Sequence, residues 1–355
     1  MKGLILSGGK GTRLRPLTYT SAKQLVPIAN KPVLFYGIEA LVNANIRDIG
    51  IVVGDTQAEI RAAVGNGSRW GVSIHYIEQE FPSGLAHAVK ISEPFIGQEP
   101  FVMYLGDNLL NKSISNFVQE FDREKPAAQI LLAHVSDPQM FGVAQLRDGK
   151  VVRLVEKPTE PIGDLALVGV YMFQPDIFES VKRIQPSSRN ELEITDAIQD
   201  LIDRGLDVRP QIVSGWWKDT GKPEDILEAN QLILEMLEHR IEGVVDQDSR
   251  IEGKVIIESG ANVERSIIRG PAIIGRGTRL VNAYVGPFTS IMNDVEILNA
   301  EIEHSIVLEG THLNDLDNRV VNSLIGKNVR IYREPAKPSA YRFMLGDNSE
   351  VGIRW

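Results

Sequence analysis

The chain has 355 residues, a hydrophobic fraction of 43%, a charged fraction of 24% and a formal charge of −9. That length exceeds what one hydrophobic core usually spans, so about two domains are expected. The negative balance argues against a general affinity for nucleic acid, whose phosphate backbone is bound by surplus Lys and Arg. The absence of cysteine excludes disulfides, thiolate zinc sites and a cysteine nucleophile, and fits a reducing compartment.

The N-terminal run Met1-Lys2-Gly3-Leu4-Ile5-Leu6 carries one positive side chain and a short apolar stretch that ends in glycines. It is too short for a signal peptide or a membrane span and reads as a buried strand of a cytoplasmic protein with no membrane partner. Through about Pro210, short β-rich runs alternate with amphipathic stretches, the pattern of βα units around a largely parallel sheet. Residues 4–6, 49–53, 73–77 and 101–105 read as strands, and 33–45, 58–64 and 85–91 carry helical spacing. The segment 223–241 suits a long amphipathic helix that starts at a proline and closes the first domain. The expected division is therefore 1–241 and 242–355.

After about Glu242 the period changes. Branched apolar residues recur at Ile251, Ile257 and Val263, at Ile274 and Leu280, at Val285, Ile291 and Ile297, and at Ile325 and Ile331, several of them followed by glycine. This hexapeptide rhythm predicts a left-handed parallel β-helix in which each hexad makes one face of a coil. An irregular β-sandwich is the competing architecture, with looser strand spacing. Breaks in the rhythm suggest few full coils, and the closing segment 335–355 has lost it and is expected to cap or dock.

The first strand runs into Ser7-Gly8-Gly9-Lys10-Gly11-Thr12-Arg13-Leu14-Arg15-Pro16. Glycines let the backbone approach a phosphate chain and present N–H groups to it, and Arg13 supplies a fork of donors. The loop is neither a dinucleotide fingerprint nor a P-loop. A tight strand-to-helix turn would explain the glycines alone, but Arg13, Arg15 and Lys23 in close succession call for an anion.

The motif Gly8-Gly9-x-Gly11-Thr12-Arg13-Leu14, followed by Lys23-Gln24-Leu25-x-Pro27, resembles the glucose-1-phosphate thymidylyltransferases. The resemblance continues through Gln79, Gly84-Leu85-Ala86, Leu105-Gly106-Asp107-Asn108, Glu156-Lys157-Pro158, Glu191-Leu192-Glu193-Ile194-Thr195-Asp196 and Asp219-Thr220-Gly221, over roughly the first 240 residues. The hexad tail is similar to the long form of that family. The fold implied is α/β: a Rossmann-like nucleotidyltransferase domain with a mixed, mostly parallel sheet, followed by the β-helix. The activity implied is thymidylyl transfer from dTTP to glucose 1-phosphate, giving dTDP-glucose and pyrophosphate for deoxysugar biosynthesis.

The same resemblance implies the site residues. The nucleotide falls to Gly8, Gly9, Gly11, Thr12, Arg13, Lys23, Gln24, Gln79, Gly84 and Asp107, and the sugar phosphate to Gly142, Glu156, Lys157 and Leu167. Catalysis rests on Arg13, Lys23, Asp107 and Lys157, and Mg2+ on Asp107 and Asp219. These assignments have chemical sense. Asp107 follows an apolar strand at the sheet end where α/β folds gather ligands, and a helix cap or turn is its ordinary alternative. Two carboxylates with triphosphate oxygens suit magnesium, which takes few protein ligands. Gln79 can donate to and accept from a thymine edge. Lys157 alone would read as an exposed turn lysine, and Glu191 and Glu193 either cap a helix or touch the sugar.

Three other readings stand beside this one. UTP-dependent uridylyl transfer to glucose 1-phosphate differs only in the base, and Lys23-Gln24 favours the thymidylyl reading. A bifunctional enzyme with an acetyltransferase in the β-helix would need a base, for which His304 and His312 are the histidines of that region. A non-catalytic nucleotide-sugar sensor would be expected to lack part of the set Arg13, Lys23, Asp107, Lys157 and Asp219, all of which are present. A β-helix with exposed terminal coils makes a homo-oligomer the default expectation.

Overall fold

The computed structural model describes residues 1–334, so the expected cap at 335–355 lies outside the described residues. The chain forms two compact units: Met1–Lys10, Ser21–Leu25 and Val33–Asp219 in the first, and Gly11–Thr20, Val26–Pro32 and the chain from Thr220 onward in the second.

The first unit is built on a nine-stranded sheet. From one edge its order is Lys150–Glu156, Gly142–Arg147, Leu165–Phe173, Phe101–Leu105, Lys2–Ser7, Asp48–Val53 and Ser73–Glu78, with Ala128–His134 beside Leu165–Phe173 and Val208–Ile212 outside it. Lys2–Ser7 is parallel to both of its neighbours. Lys150–Glu156 and Leu165–Phe173 run against the other strands, so the sheet is mixed and mostly parallel, as expected. Side chains of a strand alternate between faces, and here both faces are dry. Leu4 and Leu6 enter one core with Phe101, Met103, Phe173, Phe178 and Ile198. Ile5 enters the other with Leu34, Ile38, Val102, Tyr104 and Phe121. A sheet covered on both faces reads as continuous apolar runs rather than alternation, which is why strands such as 101–105 are legible in the sequence.

In the second unit three parallel sheets, of six, six and five strands among the described residues, stack side by side. Residues 17 apart lie beside one another, Val255 with Ala272, Asn262 with Arg279 and Ile267 with Tyr284, so each coil has three faces. Branched side chains fill the interior, including Ile257, Val263, Ile268, Ile274, Leu280, Val285, Ile291 and Ile297. The expected hexad breaks do not shorten the stack: later coils take 16 or 18 residues, with Ile297 beside Leu313 and Ile306 beside Leu324, and the length change is absorbed at the corners. Corner residues adopt positive φ at regular intervals, Arg265 at 46°, Asn282 at 49° and Asn299 at 47°. Asn282 donates to Asn299 at 2.8 Å and Asn299 to Asp315 at 2.6 Å, a side-chain ladder that ties coil to coil.

The predicted helix 223–241 is shorter than expected. It spans Pro223–Met236 and stops where Leu237 turns to an extended backbone. Arg240–Ile241 then pairs in parallel with the strand Val255–Ile257, so coil structure starts before residue 242. The helix also groups with the second unit rather than closing the first. Its Asn230 is fully buried and spends its amide within that unit. Asn230 Oδ1 accepts from the Ala29 N–H at 2.9 Å and the Ser290 hydroxyl at 2.7 Å, and Nδ2 donates to the Phe288 carbonyl at 3.1 Å.

Candidate active site

At the C-terminal ends of the central strands the first unit gathers a set of polar groups. The strand Lys2–Ser7 delivers Gly8 and Gly9, and Phe101–Leu105 delivers Gly106, Asp107 and Asn108. A side chain at Gly9 would meet Lys23 Cε at 3.1 Å, so glycine there is what lets the lysine stem lie on the loop. Lys23 Nζ forms a close ion pair with Asp107 Oδ2. Asn108 Nδ2 donates to Asp107 Oδ1 at 3.0 Å, and Trp217 Nε1 donates to Asn108 Oδ1 at 2.6 Å. Burial alone would raise the Asp107 carboxyl, but the Lys23 ammonium and the hydrogen bonds from Lys23 and Asn108 hold it below its ordinary value. Asp107 is thus kept as an anion in a low-dielectric position.

Asp107 lies in the turn just before the strand Asn108–Leu110, and Asp219, which sequence distance alone could not pair with it, ends the strand Trp217–Asp219. Asn108–Leu110 and Trp217–Asp219 form an antiparallel pair in which Asp219 stands opposite Asn108. No group of three or more His, Cys, Asp or Glu side chains with metal-binding geometry occurs among the described residues. Magnesium takes one or two carboxylates together with water and phosphate oxygens, whereas zinc takes three or four protein ligands, so a two-carboxylate set fits the former. Two acceptors near the loop, Ser7 Oγ and Gln24 Oε1, are buried without a hydrogen-bond partner, as are six other side-chain atoms elsewhere among the described residues.

Gln79 follows the strand Ser73–Glu78, and its backbone N–H is anchored on the Val53 carbonyl at 2.8 Å. Its Oε1 lies 3.1 Å from where a Gly8 side chain would stand, so the amide covers the glycine turn. Gly84 precedes the helix Leu85–Ile91 with φ at 99° and packs on the backbone of Leu192. Only glycine suits both that dihedral and that contact.

A second cluster surrounds a cavity of about 550 Å³ lined by Glu156, Lys157, Ser187, Arg189, Glu193 and neighbours. Gly142 pairs with Glu156 across the ladder, and a side chain at Gly142 would meet Leu167 at 2.8 Å and Glu156 Oε2 at 3.0 Å. Gly142, Glu156, Lys157 and Leu167 are therefore brought together. Lys157 has φ at 45°, unusual for a non-glycine residue and disfavoured before proline. Its backbone N–H is held by the Phe141 carbonyl at 2.9 Å. Burial, reinforced by the Glu193 carboxylate, pushes the Glu156 carboxyl up against the pull of Arg189 and Lys157.

Neither Glu191 nor Glu193 caps a helix with its side chain. Glu193 directly precedes the helix Ile194–Asp203 but makes no capping bond. It accepts instead from Arg189 at 2.8 Å and from Ser187 at 2.6 Å, and Glu191 pairs with Arg189 at 3.2 Å. Arg189, Asn108 as a bridge to Trp217, and His87 beside Gln79 were not singled out from sequence. Arg189 lies two residues before the Glu191 motif and His87 one after Gly84-Leu85-Ala86, so proximity to a motif was the available signal.

Gly11, Thr12 and Arg13 group with the second unit. Gly11 takes φ at 62° and opens the short 3-10 turn Thr12–Leu14, and Thr18 Oγ1 donates to the Gly11 carbonyl at 2.7 Å. In the β-helix, His304 sits at a left-handed corner, φ 46°, with Nδ1 bonded to Asn322 at 2.6 Å. His312 lies on a sheet strand with Nδ1 3.3 Å from Glu296. Both therefore serve coil-to-coil contacts. No helix among the described residues is long and apolar enough to cross a membrane.

Comparison with known proteins shows the family. Residues 2–236 match the nucleotidyl transferase family model. The chain is 54% identical over 354 residues to a glucose-1-phosphate thymidylyltransferase of Streptomyces griseus, covering 99% of each, and 53% identical to one of Streptomyces antibioticus, covering all of both. A solved Bacillus anthracis protein described as a glucose-1-phosphate thymidylyltransferase, crystallised with sucrose, superposes with a TM-score of 0.64 at 36% identity, over 68% of this chain and 98% of that one. With a family match over most of its length and relatives that align end to end, the chain belongs to the nucleotidyl transferase family and, within it, to the glucose-1-phosphate thymidylyltransferases.

Proposed function

We propose that the protein transfers a thymidylyl group from dTTP to glucose 1-phosphate, releasing pyrophosphate and supplying dTDP-glucose for deoxysugar synthesis. The observation that carries this reading is the pairing, within one unit, of a carboxylate and lysine centre at the glycine loop with a cavity that holds Lys157, Arg189 and Glu156. The functional boundary is proposed near residue 241, because the family match ends at 236.

A phosphate oxygen of the sugar 1-phosphate attacks the α-phosphorus of dTTP, and the bond to the β-phosphate oxygen breaks in line. The nucleophile is already an anion, so positioning and charge neutralisation replace general base catalysis. Gly8, Gly9, Gly11 and Thr12 receive the triphosphate through backbone groups, and Arg13 and Lys23 neutralise it and the departing pyrophosphate. Lys157 binds the attacking phosphate, with Arg189 able to exchange its carboxylate partners for the same group. Glu156, Gly142 and Leu167 hold the sugar. Gln24, Gln79 and Gly84 hold the base. Asp107 and Asp219 would hold Mg2+, which when bound screens the charge of the triphosphate oxygens.

A matrix of nucleoside triphosphates and sugar 1-phosphates, followed by pyrophosphate release, tests the reading. The dTTP and glucose 1-phosphate pair should give the largest kcat/KM. Preference for UTP would overturn the base assignment, and an Arg13→Ala variant within about twofold of the parent would remove Arg13 from the mechanism, since a lost transition-state contact costs about 100-fold.

A further inference from the structure

Gln79 Nε2 has two hydrogens, and both are engaged inside the protein. One interaction is with the Gly84 carbonyl at 3.4 Å, the other with His87 Nδ1 at 3.0 Å. The reverse amide orientation would set Oε1 against the Gly84 carbonyl, two acceptors face to face, but at 3.4 Å that contact is weak, and the closer contact with His87 is needed to hold the amide in place. For His87 to accept from Gln79, Nδ1 must carry no proton, leaving the hydrogen on Nε2. Burial, with help from the Lys90 ammonium, lowers the His87 pKa and favours that neutral ring. With Nε2 engaged, Oε1 is the free end of the amide, and it lies toward Gly8 at the loop.

The consequence for a base is chemical. Thymine and uracil carry an N–H donor at N3 between two carbonyls, whereas cytosine has an unprotonated acceptor at N3. An amide locked with its oxygen outward accepts from the first two and repels the third. An amide free to rotate would tolerate all of them, because Gln can present either end.

We propose that His87 is a positioning residue for base selection: by accepting from Gln79 Nε2 it fixes the amide with Oε1 toward the nucleotide, and so excludes cytosine nucleotides. The inference rests on the proposed role of Gln79 at the base. It concerns discrimination between imide pyrimidines and cytosine, and leaves dTTP against UTP to other contacts.

The test uses the full chain with His87→Phe, His87→Ala, His87→Gln and Gln79→Ala, assayed by pyrophosphate release with dTTP or dCTP and glucose 1-phosphate. His87→Phe deletes the acceptor. It should raise KM for dTTP only about twofold, the cost of sharing the amide between two orientations, lower the preference for dTTP over dCTP, and leave KM for glucose 1-phosphate unchanged. His87→Gln supplies another acceptor and should recover most of the preference. If His87→Phe does not fold, His87→Ala is read in its place. An unchanged dTTP to dCTP preference in the acceptor-less variants overturns the inference, provided Gln79→Ala does change it. An equal rise in both KM values across all His87 variants marks a merely structural role and overturns it as well. If Gln79→Ala itself leaves KM for dTTP unchanged, the base-reading role of Gln79 is what fails, and the inference falls with it.

Discussion

The α/β unit and the β-helix both contain non-glycine residues with left-handed backbone, and they use them differently. In the β-helix such residues recur one coil apart, as at Arg265, Asn282 and Asn299, and the asparagines among them bond to the next coil. The unusual dihedral is part of a repeat, and stacking offsets its cost. In the α/β unit Asn45, Lys125, Asp148 and Asn190 take such dihedrals without a period, Lys125 at the end of a helix, and Lys157 takes one on the wall of a cavity, next to Pro158 and the pushed-up Glu156 carboxyl. Strain of this kind persists only where surrounding structure over-determines it, and it collects at working sites.

The contrast can be broken by four measurements. The largest expected effect is on the repeat. Leu280→Ala removes a fully buried interior side chain and should cost about 2–5 kcal/mol in urea unfolding, the usual range for a core leucine. A loss below about 1 kcal/mol would mean that coils repack freely. Next, Asp107→Ala should lower turnover about 100-fold or more, and because it removes one partner of a largely buried ion pair with Lys23 it should also cost a few kcal/mol of stability. A fall in stability of several kcal/mol with turnover retained would assign Asp107 to the fold.

Lys157→Gly should separate the two costs at one position. Glycine accepts the left-handed dihedral, so stability should rise by up to about 1 kcal/mol, whereas KM for glucose 1-phosphate should increase and KM for dTTP should not. A destabilised variant would show that the dihedral is not strained. The smallest effect concerns pH. The folded Glu156 carboxyl is raised above its ordinary 4.5, so the folded state holds the proton more tightly than the unfolded chain. Its stabilising share is complete below 4.5 and is lost as pH rises through the folded value. Glu156→Gln should therefore flatten the decline of the urea midpoint over that window relative to the parent. Identical slopes would remove Glu156 as the cause.

Legibility in the sequence followed the same division. Strands buried on both faces and the hexad interior announce themselves because burial dictates branched apolar side chains at a fixed period. The glycine loop reads as an anion site from sequence because cations crowd beside glycines. Arg189 and His87 were not legible, because one polar residue in a loop or on a helix face carries no period. The end of the helix at Met236 was misjudged because Leu237 remains apolar while its backbone turns extended. The hexad breaks were over-read because a corner can lose or gain a residue without breaking the ladder.

The sequence by itself determined the two architectures, since both depend on local pattern and composition. The tertiary structure alone decided that Asp219 stands opposite Asn108, the residue next to Asp107. It also decided which end of Gln79 is tied down and which acidic side chains Arg189 holds. Those are contacts between residues far apart in sequence or directional bonds of a rotatable amide. Their geometry is set by strand register and packing, which no short window of residues encodes.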